Sequence, residues 1–386
     1  MFFNLERIGI ILIFNWIRCV NFLEEEYNVS VKFSLINFWI VILIFVLFLM
    51  ILSREFRIKI RLNLLFLLLI YLIHVRNFVI FFLLYEIVFI FIIFVILLLG
   101  YSYERSIAGF LMIFYSFLFS RPVLMIILLL DYTFLIKSWL NYTLLLNYFF
   151  IGSFIVKFPI FGFHYWLPVA HVEASTIGSI LLAGILLKIG SLGLFYIIVY
   201  LNFLVKFHWL MFGVVLTILI ILNLRDLKII IAYSSIAHIR LVFYVINIGY
   251  DIGVKGRIII IFYHGFLSPL IFWLVGILSW WKTRSLIVVK LIIFSYLFIL
   301  FIFLLSIINI GFPPFIGFLR EILIVKSLIN YNIILFVIIF SVLFSCYYNI
   351  YLFWAFNGLQ GIIFKTNFII LDVWIFLLWV IFLNFF

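Results

Sequence analysis

Long apolar stretches follow one another along almost the whole chain. Residues 33–52 are a clear example, because they contain no charged side chain. A helix needs about 20 such residues to cross the hydrocarbon core of a bilayer. Of the 386 residues, 70% are hydrophobic and 10% are charged, whereas a soluble domain is about 45–50% apolar and about 25% charged. No soluble fold buries this much apolar surface, so the sequence predicts an integral membrane protein with many spans.

The apolar pattern predicts an all-α, polytopic membrane helix bundle of about 13–14 transmembrane helices. Fourteen segments are present, or thirteen if residues 286–330 form one helix that is broken at Pro313 and Pro314. The segments are 8–20, 33–52, 62–74, 78–100, 106–130 (interrupted at Arg121-Pro122), 143–163, 175–200, 207–224, 229–248, 256–279, 286–310, 315–330, 332–356 and 368–386.

Basic residues cluster in three loops, at 54–61, 225–228 and 282–284. All three follow even-numbered segments, which indicates that they lie together on the inner side of the membrane. In a membrane protein the net charge of +12 predicts contact with anionic lipid and not with nucleic acid. Cys19 and Cys346 lie far apart without a CxxC pattern, so we expect no metal, cluster or disulfide framework in this chain.

The stretch from Lys157 to Lys188 departs from the apolar pattern. It reads KFPIFGFHYWLPVAHVEASTIGSILLAGILLK and combines ionisable side chains with three interruptions of the helical pattern, at Pro159, Gly162 and Pro168. A charge at the centre of a spanning helix costs about 2.5–3.5 kcal/mol, and proline leaves a backbone group without its helical partner. The combination predicts a polar cavity or an ion path inside the bundle.

A second break of the same kind occurs at Gly311 and Pro313-Pro314. Glu321 lies close to it, as Lys157 lies close to the first break. Broken spans at corresponding places in the two halves of a chain are typical of inverted-repeat transporters.

Four ionisable residues lie deep within apolar segments: Glu86, Lys157, Lys188 and Glu321. There are structural alternatives, in which Glu86 is a neutral, hydrogen-bonded carboxyl group and Lys157 reaches to the membrane interface. Ionisable residues inside spans are nonetheless functional as a rule, and side chains that gain and lose a proton at mid-depth are what a proton relay needs. We predict that these four residues take part in proton translocation.

A second set of ionisable residues fits a relay role or a structural role equally well. Histidine titrates near neutral pH, and buried polar side chains also hold membrane helices together. The set is His164, His171, Lys228, His238 and His264, with Glu173 as a carboxylate at the entrance of the next helix. His164 and His171 are two helical turns apart if their segment is helical. Metal binding is the rival interpretation for them, but no third ligand has a suitable spacing.

Ionisable groups recur at the depth of the membrane midplane. The sequence shows no motif for a redox group, no nucleotide-binding glycine loop and no nucleophile triad. The chemistry that remains is proton movement, and its driving energy has to come from elsewhere in a complex.

Several sequence blocks resemble one family. VKFPIFGFHYWLPVAHVEAS, followed by LLAGILLKIGSLG, closely resembles subunit 4 of NADH:ubiquinone oxidoreductase (respiratory complex I), which shows VKxPxxGxHxWLPxAHVEAP and then LLKxGxxG. The blocks RDLKIIIAYSSIAHI, YHGFLSPLIFWLVG and GFPPFIGFLREI follow in the order of that family. The HVEA block distinguishes subunit 4 from its paralogues, subunits 2 and 5.

The resemblance implies two inverted five-helix repeats with one broken helix in each, and thirteen spans with one early helix of the family missing. We expect N-terminal helices in 1–76, the first repeat in 77–205, the second in 206–356 and a C-terminal helix in 357–386. The key charged residues of the family match Glu86, Lys157, Lys188 and Glu321, and its histidine positions match His238 and His264. The departures are Val169 in place of a lysine, Ser175 in place of a proline and Arg240 in place of a small or apolar residue.

The function that the resemblance implies is that of a core membrane-arm subunit, which translocates protons while partner subunits oxidise NADH and reduce ubiquinone. NADH, FMN, the iron–sulfur clusters and ubiquinone would bind to those partners. The expected neighbours are the antiporter-like subunits 2 and 5 and membrane lipid, in the mitochondrial inner membrane or, alternatively, a bacterial plasma membrane. A sodium/proton antiporter subunit of the same fold and a scaffold without transport are the alternative functions.

Overall fold

The computed structural model describes residues 40–48, 59–75, 78–100, 104–129, 144–160, 162–201, 210–248, 251–279, 292–293, 296–313, 315–328, 332–356 and 362–363. The predicted segments 8–20 and 368–386 lie outside these residues. The chain divides into two compact units, Met1–Arg76 and Asn77–Phe386.

The first unit contains a helical stretch at residues 40–48 and the helix α1, Lys59–His74. In α1, Leu65, Leu69 and Leu72 are buried. Their spacing of four and three residues places them on one face of the helix. The rings of Phe48 and Phe66 stack with their centroids 4.2 Å apart.

The second unit is helical over nearly all of its described residues, which confirms the all-α prediction. In chain order the helices are α2 Phe78–Leu99, α3 Arg105–Leu129, α4 Leu144–Lys157, α5 Trp166–Glu173, α6 Thr176–Leu181, α7 Leu187–Leu201, α8 Leu210–Asn223, α9 Leu227–Ile248, α10 Asp251–Ser279, α11 Tyr296–Ile310, α12 Ile316–Leu328 and α13 Asn332–Phe356. A π-helical turn, Leu182–Leu186, joins α6 to α7 without a gap. Two short strands, β1 Ile292–Ile293 and β2 Ile362–Ile363, pair in parallel.

Four stretches in the described part of the chain are long and apolar enough to cross a membrane: Val79–Leu99, Arg105–Ile126, Thr176–Phe195 and Ile259–Gly276. Shorter apolar helices accompany them, and the total of 13–14 spans stays a prediction. The predicted interruption at Arg121-Pro122 is wrong, because α3 continues through both residues. A spanning helix tolerates proline where neighbouring groups satisfy the freed carbonyl.

The continuous helix made of α6, the π-turn and α7 lies at the centre of the bundle. The central apolar window of Thr176–Phe195 is 100% buried, and that of Ile259–Gly276 in α10 is 83% buried, against 44% for Val79–Leu99 in α2. The helix α10 contacts α6, α9, α12 and the π-turn. The candidate relay residues on these helices, Lys188 on α7 and His264 on α10, are therefore enclosed by other helices.

The first broken helix is formed by α4 and α5. The helix α4 ends at Lys157, the backbone turns through Pro159 and Gly162, and α5 begins at Trp166. Gly162 has φ 97°, a left-handed conformation that glycine adopts without a steric cost. Pro168 is the third residue of α5 and does not break it, contrary to the prediction, because the first turn of a helix needs no donor from that position.

The second broken helix is formed by α11 and α12, and a glycine ends its first half. Gly311 has φ 79°. Its N–H donates to the carbonyl of Ile308 at 3.0 Å, and the N–H of Phe312 donates to the carbonyl of Ile307 at 3.4 Å. These two bonds form the Schellman motif that closes a helix C-terminus. The break predicted at Gly311 and Pro313-Pro314 is confirmed, and Gly311 ends the first half before the chain reaches Pro313.

Candidate functional site

Glu86 and Lys157 form an ion pair between α2 and α4. Glu86 lies near the middle of α2, and Lys157 is the last residue of α4, where the helix dipole favours a positive charge. The Lys157 side chain is 1% exposed and that of Glu86 is 16% exposed. The pair is therefore held inside the protein, with the carboxylate nearer to its surface.

Aromatic rings enclose the same lysine. The Lys157 Nζ atom lies 4.5 Å from the ring centroid of Tyr85 and 5.3 Å from that of Phe82. The rings of Phe89 and Phe154 lie at 5.6 Å and 6.0 Å. These distances are within the range of cation–π attraction. These rings were not predicted, although Phe82 and Phe89 lie one turn before and one turn after Glu86 in the sequence.

Lys188 is anchored by the π-turn that precedes it. Its Nζ atom donates to the carbonyl of Ala183 at 2.6 Å, within the turn Leu182–Leu186. A π-turn shifts the helical bonding from i+4 to i+5, so a carbonyl in it is accessible to a side chain. Nζ also lies 3.0 Å from Nδ1 of His264 on α10. With 4% exposure, Lys188 is a buried cation that shares a hydrogen bond with a titratable ring.

His264 continues this line toward the second broken helix. Its ring centroid lies 5.4 Å from that of His238 on α9. His238 and Glu321 both line a cavity of about 30 Å³, together with hydroxyl groups of Ser234, Ser341 and Ser345. A cavity of this size accommodates about two water molecules. The structure therefore brings His238 and Glu321 to one polar space.

Tyr85 lies between the two lysine sites. Its ring faces Lys157, and its hydroxyl group donates to the carbonyl of Leu186 at 3.4 Å. Leu186 is the last residue of the π-turn that holds Lys188. Thus the Glu86–Lys157 pair and the Lys188–His264 pair are connected by one side chain.

His171 and Lys228 form a side branch at the end of α5. Lys228 donates to the carbonyls of Val172 at 3.2 Å and Ala174 at 2.8 Å, so it satisfies orphan carbonyls at a helix C-terminus. Glu173 is buried as the last residue of α5, and not at the entrance of the next helix as predicted.

His171 is fully buried, and its ring stacks on that of Phe272 with the centroids 4.3 Å apart. Neither ring nitrogen has a hydrogen-bond partner among the described residues. Lys228 and Lys188 are both close enough to act on it electrostatically. Ring nitrogens buried without a partner are costly, which marks His171 as a residue to test.

His164 is not on the same helix as His171. It lies in the connection before α5, half-buried, with its ring edge against Tyr233 of α9 at 5.9 Å. The two residues therefore do not lie two turns apart on one helix, because α5 begins after His164. In the described part of the chain, no group of three or more His, Cys, Asp or Glu side chains is placed to hold a metal ion.

One of the three departures from the family pattern now has a physical reason. Ser175 stands where the family has proline, and its Oγ atom accepts a hydrogen bond from the N–H of Gly178 at 3.2 Å. It is the N-cap of α6. Val169 is half-buried on α5, and the side chain of Arg240 lies outside the described part.

A buried amide cluster near the second break was also missed. Asn309 donates to the hydroxyl oxygen of Tyr348 at 3.1 Å and to Oδ1 of Asn349 at 2.9 Å. Tyr348 lines the same cavity as Glu321. The sequence signal that could have indicated this cluster is the presence of uncharged polar residues within apolar segments.

A family model described as "NADH:quinone oxidoreductase/Mrp antiporter, TM" matches residues 76–345 of this chain. NADH-ubiquinone oxidoreductase chain 4 of Ceratitis capitata is 36% identical over 279 residues, and that of Apis mellifera ligustica is 33% identical over 323 residues. The alignments cover 67% and 78% of this chain. They cover 62% of the first relative and 72% of the second, so this chain spans less than two thirds of the first.

Two solved structures have the same fold. A chain of respiratory complex I from Thermus thermophilus with bound NADH aligns with a TM-score of 0.72 at 21% identity, covering 92% of this chain and 79% of that chain. A chain of the Mrp complex from Dietzia sp. DQ12-45-1b aligns with a TM-score of 0.73 at 15% identity, covering 88% of this chain and 67% of that chain. At these identities the likeness establishes the fold and confirms the antiporter-like helix bundle.

Proposed function

This chain belongs to the NADH:quinone oxidoreductase/Mrp antiporter transmembrane family, in its NADH-ubiquinone oxidoreductase chain 4 branch, and we propose that it translocates protons in the membrane arm of respiratory complex I. The observation that carries this proposal is the line of buried and half-buried ionisable groups through the second unit. It runs from the Glu86–Lys157 pair to the Lys188–His264 pair, and on to His238 and Glu321.

The first step takes place at the Glu86–Lys157 pair. A carboxylate and an ammonium in contact attract each other by about 4 kcal/mol in a medium of intermediate polarity. When Glu86 accepts a proton, this attraction is lost and the pair opens. Lys157 then carries an unbalanced charge, which repels a proton on the next cationic site.

The second step takes place between Lys188 and His264. Their nitrogen atoms are 3.0 Å apart, which is hydrogen-bonding distance, so a proton can move from one to the other without a conformational change. A positive charge on Lys157 favours transfer away from Lys188. The carbonyl of Ala183 keeps the lysine amine in place throughout.

The third step passes the proton to the second broken helix. His238 follows His264, and the cavity that His238 shares with Glu321 has room for bridging water. The role of each residue here is a proposal, and His164, His171 and Lys228 are proposed as secondary relay residues.

The energy for these steps would come from subunits that oxidise NADH and reduce ubiquinone, with FMN and iron–sulfur clusters bound there. On this proposal the whole enzyme is an H⁺-translocating NADH:ubiquinone reductase, and this chain contributes no redox centre. Its neighbours would be the antiporter-like subunits 2 and 5 in the mitochondrial inner membrane.

A sodium/proton antiporter subunit is the second candidate, because the matching family model and the Dietzia Mrp structure include antiporter chains. Isolation of this chain from its native membrane separates the two. We expect NADH:ubiquinone reductase activity to co-purify with it, and proton uptake by proteoliposomes to require NADH. Sodium-driven proton exchange by the isolated preparation without NADH would instead support the antiporter.

A further inference from the structure

The Lys157 ammonium has one hydrogen-bond acceptor among the described residues, the Glu86 carboxylate. An ammonium group has three N–H donors, and the Lys157 side chain is 1% exposed. The remaining surroundings of Nζ include four ring faces, those of Phe82, Tyr85, Phe89 and Phe154. These faces are what the ammonium retains when Glu86 takes up a proton.

The rings are not scattered around the lysine. Phe82, Tyr85 and Phe89 are spaced by three and four residues on α2, so they lie on one face of that helix. Glu86 lies next to this face, one turn from Phe82 and one turn from Phe89. Phe154 lies on α4, one turn before Lys157. The helix α2 thus offers the lysine a carboxylate and, next to it, an aromatic surface.

Tyr85 is the ring with the shortest distance to Nζ, and it is fixed from several sides. Its ring lies parallel to that of Phe154, with the centroids 5.7 Å apart. Its hydroxyl group donates to Leu186. Gly190 packs directly against it, since a Cβ atom at that position would lie 3.1 Å from the hydroxyl oxygen. The ring therefore stays in place while the charge on Glu86 changes.

We propose that Phe82, Tyr85, Phe89 and Phe154 form a second binding position for the Lys157 ammonium, with Tyr85 as its main positioning residue. This inference rests on the proposed function and deepens it. In the closed state the ammonium binds the Glu86 carboxylate. After Glu86 is protonated, the ammonium is held against the ring faces, so it remains charged inside the bundle and acts on the Lys188 site.

The test compares substitutions of aromatic residues on α2 in the intact complex, reconstituted in proteoliposomes. The measured quantity is the number of protons taken up per NADH oxidised. Phe82→Leu and Phe91→Leu are the pair to compare, because both rings lie on α2 and Phe82 faces Nζ within cation–π distance, whereas Phe91 is half-buried and lies outside the four rings around Nζ. We expect Phe82→Leu to lower the ratio and Phe91→Leu to leave it at the parent value. Equal ratios for the two variants would overturn the proposal.

Tyr85 gives a second comparison. Tyr85→Phe keeps the ring and should preserve the ratio, whereas Tyr85→Leu removes the ring and should lower it toward the value of Glu86→Gln. A loss of equal size in Tyr85→Phe would assign the effect to the hydroxyl group and overturn the ring proposal. If Tyr85→Leu does not assemble, the comparison of Phe82→Leu with Phe91→Leu decides.

Glu86→Gln distinguishes this inference from the proposed function. An unchanged ratio in Glu86→Gln contradicts the proposed function at its first step. A lowered ratio in Glu86→Gln together with parental ratios in Phe82→Leu and Tyr85→Leu leaves the proposed function standing and refutes the aromatic binding position.

Discussion

Nζ of Lys188 lies 3.0 Å from Nδ1 of His264, a residue 76 positions later in the chain. Both side chains are buried, on the two helices that are most enclosed by the rest of the bundle. Two titratable groups at hydrogen-bonding distance, away from lipid and water, can share one proton. This contact joins the first half of the second unit to its second half.

Lys188→Met should remove proton transfer through this contact. Methionine keeps the length and apolar character of the stem but carries no proton, and removal of a positioned proton donor costs about a hundredfold or more in rate. We expect the number of protons pumped per NADH to fall while the complex still assembles. Lys326→Met is the matched control, because Lys326 is exposed at the end of α12. Parental pumping in Lys188→Met would instead support a scaffold role for this chain.

Gly193→Ala should destabilise the bundle, whereas Gly152→Ala should not. A Cβ atom at Gly193 would overlap the ring of Phe154, while one at Gly152 would lie 3.7 Å from Phe119, an ordinary contact. Overpacking of a core costs about 1–3 kcal/mol. Thermal melting of the complex measures the difference, and a melting temperature for Gly193→Ala at or above that of Gly152→Ala would contradict the packing described here.

Gly162→Ala and Gly311→Ala should differ in their effect on function. Both glycines have a left-handed backbone, so alanine costs about 1–2 kcal/mol at either position. A Cβ atom at Gly162 meets nothing within 4 Å, whereas one at Gly311 would lie 3.0 Å from the carbonyl carbon of Gly317 and 3.3 Å from Oε1 of Glu321. We expect a loss of stability in both variants, measured by melting, but reduced pumping only in Gly311→Ala. Reduced pumping in Gly162→Ala alone would refute this assignment.

His171→Phe tests whether the side branch conducts protons. Phenylalanine preserves the stacking on Phe272 and removes two buried nitrogens that have no partner in the described structure, so stability should rise by about 1–3 kcal/mol. Because the ring lies within electrostatic range of Lys188 and Lys228, we expect pumping per NADH to fall nonetheless. Higher stability with unchanged pumping would make His171 a structural residue.

The helical segments and the four central charges could be predicted because lipid leaves few alternatives. An apolar run of spanning length has to be helical, and a charge such as Glu86 within it requires a partner. For Glu86 that partner is Lys157, with which it forms the ion pair.

The local backbone could not be predicted in the same way. The π-turn before Lys188 has no residue signature, since it shifts the bonding of an ordinary apolar helix. Pro168 shows that the position within a helix decides whether a proline breaks it. The rings around Lys157 carried no signal by composition, because 22% of all residues are aromatic, and the three that lie on α2 differ from other rings only in their helical spacing beside Glu86.

The most direct test of the account is the proton-to-NADH ratio of the intact complex with Glu86→Gln. Glutamine keeps the shape of the side chain but cannot exchange a proton, so the ion pair with Lys157 can no longer open and close. Glu104→Gln, at an exposed position before α3, is the control. We predict a lower ratio for Glu86→Gln and the parental ratio for Glu104→Gln. A parental ratio in Glu86→Gln, in a fully assembled complex, would contradict the account.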